Sequence, residues 1–169
     1  ICAFIEGRYL NPALSVAVLA GGRSSRLGRN KALLKINNTT IIERVLKTAS
    51  AVSSEPRIIT NSPSDYHYLG LEIFSDIRPG GGPLSGIHAA LSTCSTEYVL
   101  VVSCDIPLVT DDLTKELIRQ YPGNDITIYK HKWFEPLCAV YRRTCLPALE
   151  ELIDHGEYRI IDLFPTLSV

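Results

Sequence analysis

The sequence lacks any apolar run that approaches the roughly 18 residues of a membrane-spanning helix. It also lacks an excess of charge of either sign. Seventeen lysines and arginines against eighteen aspartates and glutamates give a net charge of −1 over 169 residues. We therefore expect neither a membrane protein nor one whose main activity is nonspecific binding to nucleic acid. The first ten residues include Glu6 and Arg8 and lack the layout of a secretory signal.

Metal-binding and disulfide patterns are also scarce. The five cysteines are an odd number and form no C-x-x-C pair. Reduced thiols in a cytoplasmic protein are the simplest interpretation. The four histidines show no ligand spacing, and no cluster of histidine, cysteine and carboxylate residues suggests zinc.

Short apolar runs alternate with helical patterns from one end of the chain to the other, without a repeat or a linker. Thr40 to Glu43 forms a capping box, and Pro83 suits the first turn of a helix. We expect strands at residues 15–20, 57–60, 71–74, 98–102, 125–129 and 137–141, and helices that begin at Thr40, Pro83 and Thr110 or cover residues 143–153 and 159–164. This alternation predicts one α/β domain over residues 1–169, a Rossmann-like three-layer α/β/α arrangement with a mostly parallel mixed sheet.

The loop after the first strand combines glycines with positive charge. Residues 19–31 hold three glycines, two serines and four basic residues. Glycine lets backbone N–H groups approach an anion, and Arg26 and Lys31 can neutralise phosphate charge. Neither a Walker A motif nor G-x-G-x-x-G is present. The loop is therefore either a nucleotide phosphate site of another kind or a solvated basic turn.

The string L-A-G-G-x-S-x-R-x-G-x-x-K, which runs from Leu19 to Lys31, resembles the signature loop of the molybdenum cofactor guanylyltransferases and, more widely, of the nucleotidyltransferases that share their fold. Two positions depart from the family pattern. Leu27 replaces the usual methionine, and Asn30 replaces an acid, which removes a charge that could orient Lys31.

Two other segments agree with this family. The stretch from Ser75 to Ile87 resembles its D-x…G-P-L-x-G-I element, and Asn61 follows the second strand. The resemblance implies that the nucleoside is bound by Asn61, Asp76, Gly82, Pro83 and Leu84. Taken alone, these residues could equally be a flexible glycine turn and an asparagine at a strand end.

The third matching segment is Ser103-Cys-Asp105-Ile-Pro107, which resembles the family's P-C-D-x-P element. A carboxylate just past a buried strand can hold Mg²⁺, which prefers oxygen ligands and substrate phosphates. Asp105 could instead cap a turn before the proline. Cys104 has no base to pair with, so we expect it to be a packing residue.

A later segment, Glu135 to Arg143, resembles a family element near the pterin-phosphate acceptor. Trp133 and Phe134 precede it. Their rings could stack on a flat heterocycle or pack in a core.

The resemblance implies the transfer of GMP from GTP to the terminal phosphate of molybdenum-molybdopterin, with release of pyrophosphate. Arg26, Lys31 and Asp105 would be catalytic, with Mg²⁺ on Asp105. The nucleotide would also contact the first loop, through Leu19, Ala20, Gly21 and Gly22. Molybdenum enzymes that receive the product are possible partners. No general base is needed, because the attacking phosphate is already an anion.

Two alternatives remain at this point. A relative of the same fold could use CTP. A noncatalytic nucleotide-binding homologue is the other, and it draws support from Asn30 and from the absence of the N-x-N-T-P-like segment found in the family. A purely structural module would require all three loop matches to be coincidental.

Overall fold

The computed structural model describes residues 3–5, 8–10, 14–21, 30–106 and 109–169. The strands are β1 (Ala3–Ile5), β2 (Arg8–Leu10), β3 (Leu14–Leu19), β4 (Lys35–Ile36), β5 (Thr39–Thr40), β6 (Arg57–Ile59), β7 (Ile73–Phe74), β8 (Tyr98–Ser103), β9 (Ile126–Lys130) and β10 (Phe134–Arg142). The α-helices are α1 (Ile41–Ser50), α2 (Pro83–Thr93), α3 (Asp111–Gln120) and α4 (Leu146–Asp154). Single 3₁₀ segments cover Lys31–Leu33, Pro63–Asp65, His67–Leu69, Arg143–Cys145 and Ile160–Thr166.

Six strands form the central sheet in the order β7-β6-β3-β8-β10-β9. The first four of these pair in parallel, while β10 is antiparallel to both of its neighbours. The central parallel strands β3 and β8 are short, apolar and almost fully buried, as expected for a sheet covered on both faces. The predicted mostly parallel mixed sheet is confirmed.

Two apolar clusters lie on opposite faces of this sheet, and alternate residues of each central strand enter alternate clusters. Val16 and Val18 of β3 pack in the cluster that contains buried residues of α1 and α3. Ala17 and Leu19 pack in the cluster that contains residues of α2 and α4. The predicted three layers are therefore present. In the described part of the chain, no helix combines the length and the apolar character needed to cross a bilayer.

Most predicted elements are found, and the differences have local causes. The capping box at the start of α1 is confirmed, because Thr40 Oγ1 accepts the Glu43 N–H and the Glu43 carboxylate accepts the Thr40 N–H. Residues 71 and 72 precede β7 rather than belonging to it. The helix expected over residues 143–153 starts with a 3₁₀ turn, and α4 begins only at Leu146, with Pro147 in its first turn. The segment at 160–166 is 3₁₀ throughout.

Two small hairpins were not predicted. The pair β4 and β5 has only two residues in each strand, too few to show a period of two. Asn37 and Asn38 connect them with φ values of 51° and 64°, which asparagine tolerates in tight hairpin turns. The antiparallel strands β1 and β2 form the other pair. With three residues in each strand, they are too short to show a clear alternation of apolar and polar side chains.

Candidate functional site

A cleft opens beyond the carboxyl ends of β3 and β8. The backbone pairing continues past the strands here, since Cys104 N donates to Leu19 O at 3.0 Å. The described residues that line the cleft are Leu19, Ala20, Gly21, Asn30, Lys31, Ala32, Ser103, Cys104 and Asp105. The cation and the carboxylate singled out in the sequence, Lys31 and Asp105, therefore share one cleft with the backbone of the glycine loop.

Asp105 is held at the rim of the cleft by a tight turn at the end of β8. Its N–H donates to Ser103 Oγ at 3.1 Å, and Ile106 N donates to Ser103 O at 3.1 Å. Ser103 is buried, whereas Asp105 is exposed. The serine that replaces the family's proline thus orders the backbone of the turn, and the carboxylate is left open to ligand.

Cys104 lines the cleft but is buried and belongs to the apolar cluster that contains residues of α1 and α3. Only 6% of its surface is exposed, and burial raises the pKa of its thiol to about 12. The thiol is therefore protonated at neutral pH and a poor nucleophile. The prediction that Cys104 is a packing residue is confirmed.

Lys31 begins a single 3₁₀ turn that is capped by Asn30. The Asn30 Oδ1 atom accepts the Ala32 N–H at 3.1 Å, and Asn30 Nδ2 donates to the Tyr66 hydroxyl at 2.8 Å. The same hydroxyl donates towards Ala20 O, at 3.1 Å. Tyr66 is fully buried, and burial raises its pKa to about 12, so it remains a neutral donor. One tyrosine therefore links the end of β3 to the turn that carries Lys31.

The contacts of Asn30 account for the presence of an amide where the family pattern has an acid. Its Nδ2 atom donates to the carboxylate of Asp65 at 3.0 Å. An acid at position 30 would instead place two carboxylates in contact. Asp65, from the connection between β6 and β7, is thus hydrogen-bonded to the residue that precedes Lys31.

A second pair of predicted residues meets at the neighbouring strand ends. Asn61 follows β6 and Asp76 follows β7. They form two hydrogen bonds, from Asn61 Nδ2 to the Asp76 carboxylate at 2.6 Å and from Asp76 N to Asn61 Oδ1 at 3.0 Å. Thr60, one residue earlier, donates through Oγ1 to Ala20 O at 3.1 Å. The Asn61–Asp76 pair is therefore attached to the wall of the cleft.

The glycine stretch before α2, residues 80–82, is held in place by the side chain of Ser85. This buried hydroxyl accepts the Gly81 N–H at 2.9 Å and donates to Arg78 O. Gly82 adopts φ 57° and ψ −131°, a conformation that is essentially restricted to glycine, and Pro83 then starts the helix. Leu84 is completely buried, and its N–H donates to Gly81 O at 3.2 Å.

The same stretch is anchored to α4 by charge. The Arg78 guanidinium pairs with Asp154 and lies 3.7 Å from the Glu150 carboxylate. Glu150 also contacts Nε2 of the buried His88 at 3.1 Å. These contacts fix the position of the glycine stretch relative to α2 and α4.

Of the site residues inferred from sequence, Leu19, Ala20, Gly21, Lys31 and Asp105 lie together in the cleft. Asn61 and Asp76 lie at adjacent strand ends, and Gly82, Pro83 and Leu84 form the start of α2. Gly22 and Arg26 lie outside the described residues.

The sequence did not reveal Tyr66, Asp65 or Ser85. Tyr66 lies in a polar segment close to a second tyrosine, Tyr68, which is exposed, and the partners of Tyr66 are 36 and 46 positions away. Nothing local signals such distant contacts.

A mostly parallel α/β sheet with a glycine loop, a lysine and a carboxylate at its carboxyl edge is typical of nucleotide-binding proteins of the doubly wound class. The model of the MobA-like NTP transferase domain matches residues 16–167, and the chain belongs to that family of nucleotidyltransferases.

Named relatives agree with this membership. A Clostridium perfringens protein named "Probable molybdenum cofactor guanylyltransferase" is 41% identical over 149 residues, which cover 87% of this chain and 75% of that protein. The molybdenum cofactor guanylyltransferase of Desulfosudis oleivorans is 34% identical over 93% of this chain and 79% of its own length. The crystal structure of molybdopterin-guanine dinucleotide biosynthesis protein A from Archaeoglobus fulgidus superposes with a TM-score of 0.78 at 29% identity, over 92% of this chain and 80% of that one.

Gly82→Ala tests the backbone of the glycine stretch. An added Cβ meets no atom within 4 Å, so the expected loss of about 1–3 kcal/mol in unfolding free energy comes from backbone strain alone. Gly123→Ala is a matched control, with φ 99° and equally open surroundings in the turn after α3. Both variants should unfold at lower urea concentration, but only Gly82→Ala should weaken GTP binding, measured by calorimetry. Equal affinity in the two variants would contradict this role.

Asn30→Asp tests the contact with Asp65. We expect it to lower the unfolding free energy by about 1–3 kcal/mol at pH 7, because a hydrogen bond becomes a contact between like charges. Repulsion raises the folded-state pKa of the pair above its unfolded value. The deficit should therefore shrink as the pH falls to about 4, where one carboxyl is protonated.

The double variant Asn30→Asp with Asp65→Asn reverses donor and acceptor and should recover most of the lost stability. Urea unfolding at both pH values measures these effects. A double variant no more stable than Asn30→Asp would show that the two side chains are not coupled.

Proposed function

We propose that this chain transfers GMP from GTP to the terminal phosphate of molybdenum-molybdopterin, which yields pyrophosphate and the guanine dinucleotide form of the cofactor. The observation that carries the proposal is the cleft in which Gly21, Lys31 and Asp105 meet at the ends of β3 and β8. The names of the curated relatives support the same reaction and acceptor.

The reaction needs positioning and charge neutralisation more than covalent chemistry. An oxygen of the acceptor phosphate attacks the α-phosphorus of GTP. The bond from that phosphorus to the bridging oxygen breaks, and pyrophosphate leaves with the electron pair. The attacking group is already an anion near pH 7, so no side chain has to remove a proton.

Within the described residues, Lys31 is the cleft cation that would hold the β- and γ-phosphates and offset charge on the leaving pyrophosphate. The backbone N–H of Gly21 suits the same phosphates. Asn30, Tyr66 and Asp65 position the lysine turn. Gly22 and Arg26 would extend this phosphate site, as the sequence pattern implies.

The nucleoside would lie along the neighbouring strand ends. The paired side chains of Asn61 and Asp76 offer amide and carboxylate groups for ribose and base. The backbone at Gly82, Pro83 and Leu84 would fix the other side of the nucleoside.

The donor set of the cleft fits Mg²⁺. Asp105 presents an exposed carboxylate, and Mg²⁺ is commonly held by one or two carboxylates together with substrate phosphates and water. The described residues contain no group of three or more His, Cys, Asp or Glu side chains that could enclose a metal without substrate. When bound, the ion would supply charge neutralisation to the phosphates.

The cytoplasm is the location we propose. The four cysteines in the described part of the chain are buried free thiols, which is in keeping with a reducing compartment.

Pyrophosphate release tests the reaction directly. Molybdenum-loaded molybdopterin and Mg²⁺ are supplied with either GTP or CTP, and we expect turnover with GTP to exceed turnover with CTP by at least tenfold. Preference for CTP would reassign the base. Nucleotide binding without pyrophosphate release from either substrate would indicate a noncatalytic homologue.

Lys31→Ala should reduce kcat/KM for GTP by a factor corresponding to about 3–4 kcal/mol, the cost of losing one preorganised donor to developing charge. Lys35→Ala is the control, since Lys35 is an exposed lysine on β4 that does not line the cleft. Steady-state kinetics of both variants provide the measurement. A Lys31→Ala enzyme within twofold of wild type would refute the phosphate role.

Asp105→Asn should abolish Mg²⁺-dependent turnover, because the amide lacks the charge that attracts the cation. Asp162→Asn changes a partly exposed carboxylate on the 3₁₀ segment at 160–166 and should leave the Mg²⁺ titration unchanged. Persistent Mg²⁺-dependent pyrophosphate release from Asp105→Asn would place the metal elsewhere.

A further inference from the structure

Helix α2 carries a buried histidine that the proposed reaction does not use. Every residue of α2 from Leu84 to Leu91 is buried, and only 3% of the His88 surface is exposed. The Nε2 atom of His88 lies 3.1 Å from Oε1 of Glu150 on α4. Because a carboxylate can only accept hydrogen bonds, Nε2 is the nitrogen that donates. A polar contact therefore joins two helices that otherwise pack through apolar side chains.

The other nitrogen of the imidazole makes this histidine unfavourable for stability. In the described part of the chain, Nδ1 of His88 is buried and has no hydrogen-bond partner. An unpaired polar atom in the core lowers the free energy of unfolding, whereas a leucine fills a similar volume without one. Packing alone therefore does not account for a histidine here, and the contact with Glu150 is the interaction that a leucine would lose.

One oxygen of Glu150 faces two partners. Its Oε1 atom contacts His88 and also lies 3.7 Å from Nη2 of Arg78. The Glu150 side chain is 43% exposed, so rotamers that point into solvent are open to it. The buried Nε2–H group restricts this freedom and keeps Oε1 beside the guanidinium. Asp154, one turn further along α4, provides the second carboxylate that pairs with Arg78.

Arg78 connects the carboxylates of α4 to the glycine stretch. Its carbonyl accepts the Ser85 hydroxyl, and the same hydroxyl accepts the Gly81 N–H at 2.9 Å. The stretch also lies against α4 directly, since a Cβ added to Gly81 would come within 3.1 Å of Cγ1 of Ile153. A continuous series of contacts therefore runs from the buried imidazole to the residue before Gly82.

We infer that His88 is a positioning residue for the nucleoside, because it holds Glu150 beside Arg78 and so sets the position of the glycine stretch. This inference rests on the proposed function, which places the nucleoside at the backbone of that stretch. The described residues that line the cleft between β3 and β8 include no member of this network. The histidine therefore acts on the affinity for the nucleotide and not on the transfer of the phosphoryl group.

Calorimetry of the intact protein with GTP and Mg²⁺ tests the inference. His88→Leu fills the same space and removes the donor to Glu150. We expect it to raise the Kd for GTP about fivefold, a usual size for coupling through packed side chains, while kcat for pyrophosphate release stays within about twofold of wild type. His88→Gln keeps an N–H group near the position of Nε2 and should restore most of the affinity.

A double-mutant cycle separates positioning from a general loss of stability. Glu150→Ala should weaken GTP binding by at least the same factor, and adding His88→Leu to it should change little, because both substitutions break one contact. Glu97→Gln is the matched control. Glu97 is 55% exposed and pairs with Arg142 at 2.6 Å, immediately before β8 and at the opposite edge of the sheet from the cleft. This variant should leave the Kd for GTP unchanged.

Three results would overturn the inference: a folded His88→Leu protein that binds GTP within about twofold of wild type, no recovery in His88→Gln, or losses that add in the double variant. If His88→Leu does not fold, Glu150→Ala decides the matter, since unchanged affinity in that variant also overturns the inference. A wild-type protein that prefers CTP is compared with its variants using CTP. Absence of nucleotide binding to the wild-type protein would instead contradict the proposed function.

Discussion

The site depends on the parallel pairing of β3 with β6 on one side and β8 on the other. Two hydrogen bonds extend this pairing past the ends of the strands, from Ala20 N to Ile59 O and from Cys104 N to Leu19 O. Three loops therefore leave the sheet at the same level. The first loop carries the glycine backbone, the second carries Asn61, which pairs with Asp76 after β7, and the third carries the Asp105 carboxylate. These groups lie at one edge because the strands share a register.

Buried side chains hold these loops by their backbones. The carbonyl of Ala20 receives hydrogen bonds from both Thr60 Oγ1 and the Tyr66 hydroxyl, and Ser85 performs a similar task for the stretch between Arg78 and Gly81. Because each hydroxyl is buried, its bonds are shielded from competing water. Lys31, Asn61 and Asp105, whose side chains are proposed to contact substrate, are instead exposed. The residues that hold the loops are therefore different from the residues that would carry out the chemistry.

Sequence patterns identified the layers, the sheet type and the cleft residues Lys31 and Asp105, since burial and strand ends leave local traces. They did not identify Tyr66 or the partners of Arg78, because those contacts join segments far apart in the chain. They also could not distinguish Trp133 from Phe134, since either ring could be exposed or packed in the core. Neighbouring residues at a hairpin tip differ in exposure only through the packing of a remote element, here the ring of Phe164.

The attachment of Arg78 to α4 has a consequence for synthesis of the protein. The strands that form the cleft are complete once the ribosome has passed Ser103, yet the carboxylates that anchor the glycine stretch belong to Glu150 and Asp154. The glycine stretch before α2 is therefore synthesised before the carboxylates that anchor it, and the ion pairs of Arg78 can form only once the last α-helix has been made.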